Sequence, residues 1–128
     1  MSRGLADTTV FMARESGRPL DTDRLPDEIG VSIITIGELR AGVLAAEDVE
    51  TRDRRLATLT QALTLEPLPV DEAVAESWAR LRLLLRDHDL VMGVNDSWIA
   101  ATAMAVGVPI VTQDPDYVDA PGLDVVIV

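Results

Sequence analysis

Hydrophobic residues follow two different periods along the chain. Short apolar runs alternate with longer stretches in which apolar positions recur every three or four residues. The short runs predict β-strands and the longer stretches predict helices, an alternation typical of βα units around a parallel sheet. We expect an α/β fold with a central, mostly parallel sheet of four to five strands flanked by helices, the strands lying at 4–6, 31–34, 65–67, 109–112 and 125–128.

The longer stretches predict helices at 35–46, 51–63, 71–89 and 95–106. Thr35, with Glu38 three residues later, has the spacing of a capping box at the start of the first helix. The last helix is apolar nearly all round, which predicts that it is buried, and Asn95 and Asp96 at its start are favoured N-cap residues. Loops are predicted in the two segments rich in Pro, Gly and Asp, 16–28 and 114–122.

Length and composition predict one ordered domain over residues 1–128. The chain has no cysteine, so neither disulfides nor cysteine-bound metal are expected to hold the fold. Its start lacks the apolar run of a signal peptide, and its longest apolar tract is broken by Gly107 and Pro109. We therefore expect a cytoplasmic protein that does not cross a membrane.

The charge is strongly negative and unevenly distributed. There are 22 acidic residues against 11 basic ones, and the net charge is −11. All basic residues are arginines and the last is Arg86. Residues 87–128 therefore contain seven acidic residues and no Lys or Arg. Such a cluster repels itself unless solvent or a cation relieves it, which suggests a bound metal. The absence of lysine disfavours P-loops, Schiff-base enzymes and aspartyl-phosphate transfer through Asp7 or Asp114.

Acidic residues recur at the predicted carboxyl ends of the strands. Asp7 directly follows the first strand, Glu38 lies in the first turn of the helix after the second, and Asp114 and Asp116 follow Thr112. Ligand sites of open parallel sheets form at this edge. Asp96 lies at the start of the helix 95–106. The predicted topology alone does not determine whether that helix begins at this edge of the sheet.

Each acid also has a purely structural interpretation. Asp7 and Asp96 are placed to cap helices, Glu38 to complete the capping box, and Asp114 to form an Asx turn before Pro115. Four converging carboxylates, however, repel one another strongly without a cation. A site of carboxylates alone suits Mg²⁺ or Mn²⁺, and such ions support phosphodiester hydrolysis.

Four segments together resemble a known family: "LADTTVF", "VSIITIGELRAGV", "VNDSWIAATAMAVGVPIVTQDPDY" and "PGLDVVIV". They are similar, in order and spacing, to PIN-domain proteins of the VapC toxin type, the ribonuclease half of bacterial toxin–antitoxin pairs. The resemblance runs from about residue 4 to the C-terminus. It implies a three-layer PIN-like fold and a Mg²⁺- or Mn²⁺-dependent endoribonuclease. A catalytically silent module with the same fold, serving binding or regulation, is the alternative.

The resemblance also implies roles for individual residues. The catalytic acids would be Asp7, Glu38, Asp96 and Asp114. Of these, Asp7, Asp96 and Asp114 would hold the metal directly or through water, with Asp116 as a further acid, and Glu38 would position metal or activated water. The hydroxyls of Thr8 and Thr112 would support this site. Two positions depart from the family pattern: Thr9 stands where many relatives have Asn or Ser, and Val106 where many have His.

Partners follow from the same resemblance. The expected substrate is structured RNA such as tRNA or ribosomal RNA, and the expected protein partner is a VapB-type antitoxin, with homodimers and toxin–antitoxin hetero-oligomers as the assemblies. RNA phosphates require basic residues around an acidic pocket. The candidates are four arginines near the first two motifs, with surface ion pairs as the alternative role: Arg14, Arg18, Arg24 and Arg40.

Overall fold

A four-stranded parallel sheet forms the centre of the molecule. The computed structural model describes residues 1–128 and orders the strands β2-β1-β3-β4. All three strand pairs are parallel. The α/β architecture predicted from the sequence is therefore confirmed, with these strands: β1 (Arg3–Ala6), β2 (Glu28–Val31), β3 (Ile110–Thr112) and β4 (Val125–Ile127).

Five helices cover the two faces of the sheet: α1 (Thr8–Ser16), α2 (Ile33–Ala45), α3 (Val49–Leu63), α4 (Glu72–Asp87) and α5 (Val94–Val106). Successive residues of a strand point to opposite faces, so Leu5 and Ile110 pack with α4 and α5. Their neighbours Ala6 and Val111 pack with α1, α2 and α3. The result is the expected three-layer arrangement. No helix is long and apolar enough to cross a membrane.

The strand expected at 65–67 is absent. Only an isolated bridge joins Ser32 to Leu68 in this region. Glu66 has a positive φ of 53°, and Pro67 and Pro69 have no N–H to donate to a ladder. These three residues prevent a continuous strand.

The boundary between β2 and α2 lies two to three residues earlier than the sequence suggested. Ser32 is the N-cap of α2, because its side chain accepts a hydrogen bond from the Ile34 N–H at 3.0 Å. The strand expected at 31–34 therefore ends at Val31, and Thr35 is a buried residue inside the helix. The capping-box interpretation was wrong, and Glu38 lies in the second turn of α2 rather than the first.

The start of α5 also differs from the prediction. Gly93 occupies the N-cap position and no side chain caps the helix, so the capping interpretation of Asn95 and Asp96 was wrong. Asp96 is the third residue of the helix. The two predicted loops contain short 3-10 turns, at Thr22–Arg24 and Pro115–Tyr117, and the short helix after Asp7 extends to Ser16.

Candidate functional site

The acidic residues gather at the carboxyl edge of the sheet. Asp7 follows β1 and is the N-cap of α1, while Asp114 follows β3 and is the N-cap of the turn Pro115–Tyr117. Their side chains accept hydrogen bonds from the N–H groups of Thr9 and Asp116, at 3.1 and 2.9 Å. The prediction that Asp7 caps a helix and Asp114 forms an Asx turn was therefore correct. Capping is compatible with a second, functional role of the same carboxylate.

Asp7 is the most deeply buried acid of the site, with 2% of its surface exposed. Its Oδ1 also accepts a hydrogen bond from the Thr9 hydroxyl at 2.5 Å, and its Oδ2 accepts one from the Thr112 hydroxyl at 2.6 Å. Burial raises the pKa of Asp7, the two hydroxyls lower it in part, and the charge of Asp96 raises it further. The two hydroxyls therefore favour the charged form of Asp7 and offset part of the cost of burying it.

Thr112 and Thr9 connect Asp7 to the loop after β3. Thr112 Oγ1 accepts a hydrogen bond from the Asp114 N–H at 2.9 Å, and Thr9 Oγ1 accepts one from the Gln113 N–H at 3.0 Å. The buried hydroxyl of Thr112 therefore connects Asp7 to Asp114 and fixes their relative position. The sequence comparison had marked Thr9 only as a departure from the family pattern, and the structure places it in direct contact with Asp7.

Glu38 reaches the same edge from α2. Its Oε1 accepts a hydrogen bond from the Thr8 hydroxyl at 2.6 Å, and that hydroxyl lies 3.1 Å from the hydroxyl of Thr35. Its second oxygen, Oε2, makes no hydrogen bond within the chain. Thr8 therefore orients Glu38, which lies one turn further along the helix than expected.

Asp96 is the acid that interacts electrostatically with all the others. Burial is the largest cause of its raised pKa, and the charges of Glu38, Asp114 and Asp116 raise it further. A cavity of about 40 Å³ lies against Asp96, and no arginine lines it. Its walls are formed by Val91, Met92, Gly93, Asp96, Asp114, Asp116 and Tyr117.

Tyr117 contributes a polar group that the sequence did not reveal. Its side chain is 1% exposed, and its hydroxyl makes no hydrogen bond of regular geometry within the chain. The hydroxyl lies beside Asp96 and lowers the pKa of that carboxyl, while burial and the charge of Asp96 raise the pKa of the phenol. Tyr117 is therefore placed to stabilise the charged form of Asp96 from the buried side of the cavity.

These groups fit a hydrated divalent cation. The donors are all hard oxygens, and the pKa values of Asp7 and Asp96 are raised first by burial and further by neighbouring carboxylates, two costs of negative charge that a cation would offset. No three carboxylates lie close enough together to enclose a bare ion. Because Mg²⁺ usually keeps several waters and takes one or two carboxylates, these residues would hold such an ion partly through water.

The four arginines proposed for RNA binding do not reach the acidic cavity. They are exposed and form no ion pairs: Arg14, Arg18, Arg24 and Arg40. Arg14 lines a separate groove between α1 and α3, together with Arg54. Val106 lies at the opposite edge of the sheet, beside Gly4 and Glu28, so its departure from the family pattern does not touch the site.

Comparison with known proteins shows the family of this chain. The family model of the PIN domain matches residues 5–123. The chain is 50% identical to ribonuclease VapC4 of Mycobacterium tuberculosis, over 98% of this chain and 97% of the relative. The chain belongs to the PIN-domain family, among the VapC proteins.

Two further relatives support the membership in the VapC group. Ribonuclease VapC5 of Mycobacterium tuberculosis is 46% identical over 89% of this chain and 84% of the relative. The crystal structure of VapBC-5 from the same organism, a member of the VapBC family of toxin–antitoxin systems, superposes with a TM-score of 0.90 at 39% identity. That match covers 100% of this chain and 100% of the related chain.

Proposed function

We propose that this protein is a metal-dependent endoribonuclease toxin that hydrolyses phosphodiester bonds in structured RNA such as tRNA or ribosomal RNA. The ribonuclease activity carries over from the VapC relatives, of which one is 50% identical. The metal dependence rests on Asp96, because burial and the charges of Glu38, Asp114 and Asp116 raise its pKa and no arginine lines the cavity. That electrostatic arrangement is the observation that carries the proposal.

In this proposal the acids divide into ligands and a water-positioning group. Asp7, Asp96, Asp114 and Asp116 hold the cation directly or through water. Mg²⁺ or Mn²⁺, when bound, supplies positive charge for the phosphate and lowers the pKa of a coordinated water. Asp96 stands on a helix whose next residues are buried, so it is a rigidly mounted ligand.

Glu38 orients the attacking water. Thr8 holds one carboxylate oxygen at 2.6 Å and leaves Oε2 free to accept a proton. Thr112 and Thr9 donate hydrogen bonds that favour the charged form of Asp7, and they connect it to the loop after β3. Each hydroxyl thus acts through a carboxylate rather than on the substrate.

The proposed protein partner is a VapB-type antitoxin. The structural relative from Mycobacterium tuberculosis belongs to a VapBC toxin–antitoxin system, and it matches the full length of this chain. We expect the antitoxin to neutralise the toxin in a hetero-oligomer. Homodimerisation of the toxin is part of the same proposal.

Purified protein incubated with folded tRNA and ribosomal RNA tests the function. We expect cleavage with Mg²⁺ or Mn²⁺, none in EDTA, and recovery when either ion is restored. Circular dichroism in EDTA is the control that the fold persists. Undiminished cleavage in EDTA would contradict the metal dependence, and a folded, metal-loaded protein that cleaves no RNA would favour the silent binding module.

A further inference from the structure

A second cavity adjoins the acidic one and has the opposite charge. We propose that it is a subsite for the RNA strand, in which Arg82 binds a phosphate next to the one that is cleaved. This inference rests on the proposed ribonuclease function. It concerns α4, whose arginines did not figure among the residues expected to bind RNA.

The cavity lies between α4 and the segment that leads into α5. Its volume is about 220 Å³, and its walls are formed by Arg82, Leu85, Arg86, Leu90, Val91, Met92 and Ser97. Val91 and Met92 also line the acidic cavity, so the two cavities share a wall. A strand whose phosphate lies at Asp96 therefore has its neighbouring nucleotide within reach of this cavity.

Arg82 is held in place by an aromatic stack. Its guanidinium carbon lies 4.9 Å from the ring centroid of Trp78, a cation–π distance. Trp78 stacks on Trp98 with centroids 4.3 Å apart and an interplanar angle of 2°. Because the stack restricts the long arginine side chain, less conformational entropy is lost when it binds a phosphate.

The same stack fixes Arg82 relative to the acids. The Trp78 Nε1–H donates a hydrogen bond to Ser97 Oγ at 3.0 Å, and the Ser97 hydroxyl donates to the Val94 carbonyl at 2.6 Å. Ser97 is buried and directly follows Asp96 on α5. A short chain of contacts thus sets the position of the guanidinium against that of the catalytic carboxylate.

Arg82 is also the arginine of α4 that forms no ion pair, so its charge is available to bind a phosphate. Arg80 pairs with Glu76 at 2.9 Å and Arg86 pairs with Asp87 at 3.3 Å, whereas Arg82 has no acidic partner. A planar guanidinium matches the oxygens of a phosphodiester, and the apolar side chains of Leu90 and Met92 suit a base or ribose. Because the chain has a net charge of −11, which repels RNA, a preorganised cation beside the acidic cavity favours binding of the RNA phosphate there.

The subsite is tested by RNA binding and cleavage with Arg82→Gln, Arg82→Lys and Arg80→Gln. We expect Arg82→Gln to raise KM and the Kd for RNA in EDTA about tenfold, with kcat nearly unchanged, because a charged hydrogen bond to substrate is lost. The slope of log Kd against log salt should fall by about one. Arg82→Lys keeps the charge but loses the planar stack, so its effect should be intermediate.

Arg80→Gln is the matched control, because Arg80 stands on the same helix with a side chain 74% exposed and carries the same charge. Equal weakening by Arg80→Gln, or RNA binding by Arg82→Gln like that of wild type, would overturn the subsite. Near-ultraviolet circular dichroism of the stacked tryptophans reports whether each variant is folded. The binding measurement in EDTA does not depend on cleavage, so failure of the ribonuclease proposal and failure of the subsite are distinguishable.

Discussion

Two aspartates near helix starts show how different the same residue type becomes in two parts of this molecule. Asp48 at the start of α3 is exposed, and its carboxylate accepts hydrogen bonds from the Thr51 N–H at 2.7 Å and the Thr51 hydroxyl at 3.0 Å. These bonds lower the pKa of Asp48. Asp96 near the start of α5 makes no capping bond, and burial with neighbouring carboxylates raises its pKa. The first aspartate stabilises its helix, whereas the second lies in an environment that favours a cation.

Asp7 shows that capping and a functional role are compatible. Like Asp48, it accepts hydrogen bonds from a threonine N–H and a threonine hydroxyl near the start of its helix. Its pKa is nevertheless raised, because burial outweighs the hydrogen bonds and Asp96 adds a like charge. The environment of the carboxylate, rather than its helix position, separates the two classes.

The largest expected effect is on cleavage, and it compares Asp96→Asn with Asp48→Asn. Each substitution removes one negative charge from the start of a helix. We expect Asp96→Asn to reduce RNA cleavage by more than the roughly 100-fold loss that outer metal partners can cause, because a direct or water-mediated ligand is lost. Asp48→Asn should cleave at the wild-type rate. Equal cleavage rates for the two variants, measured on the same RNA with Mg²⁺, would contradict the distinction between a functional Asp96 and a purely capping Asp48.

Local patterns in the sequence predicted where two of the acids of the site lie. Asp7 directly follows one strand and Asp114 comes two residues after another, and both were placed at one edge because the carboxyl ends of parallel strands coincide. The start of α2 was mispredicted because Ile33 and Ile34, as β-branched apolar residues, are also typical of a strand. At α5 the two favoured capping residues stand inside the helix, and Gly93 takes the cap instead.

Other features depend on contacts between distant segments. Trp78 and Ser97 are 19 residues apart, and the hydrogen bond between them arises only when α4 packs on α5. The unpartnered hydroxyl of Tyr117 likewise depends on the packing of a loop against α5. Neither contact has a periodic or local signature, so the sequence alone did not reveal these groups around the acids.

A smaller effect is expected on stability, and it compares the threonines that serve the two kinds of aspartate. Thr112→Val removes a fully buried hydroxyl and leaves Asp7 Oδ2 and the Asp114 N–H without partners. We expect a loss of about 2 kcal/mol in the free energy of unfolding, read from urea denaturation. Thr112→Ser, which keeps the hydroxyl, should lose much less. Thr51→Val should change stability little, because water replaces the hydroxyl at exposed Asp48. A stable Thr112→Val would contradict the dependence of Asp7 on this donor.

The smallest effect concerns the pH dependence of the metal-free protein. Because the pKa of Asp96 is raised from 3.8 by folding, the native state binds its proton more tightly than the unfolded state does. This residue therefore contributes increasing stability as pH falls from neutral through its raised pKa, and the gain is complete below 3.8. Asp48 has a lowered pKa, so its contribution is present above 3.8 and is lost as pH falls through the lowered value.

Thermal unfolding in EDTA between neutral and mildly acidic pH separates the two. At neutral pH we expect Asp96→Asn to melt about 2–4 °C above the wild type and Asp48→Asn to melt below it. The advantage of Asp96→Asn should shrink on acidification, because protonation of Asp96 then relieves the same repulsion in the wild type. The two variants carry equal net charge, so general repulsion would raise both melting temperatures alike. Only the local environments of the two carboxylates produce opposite signs.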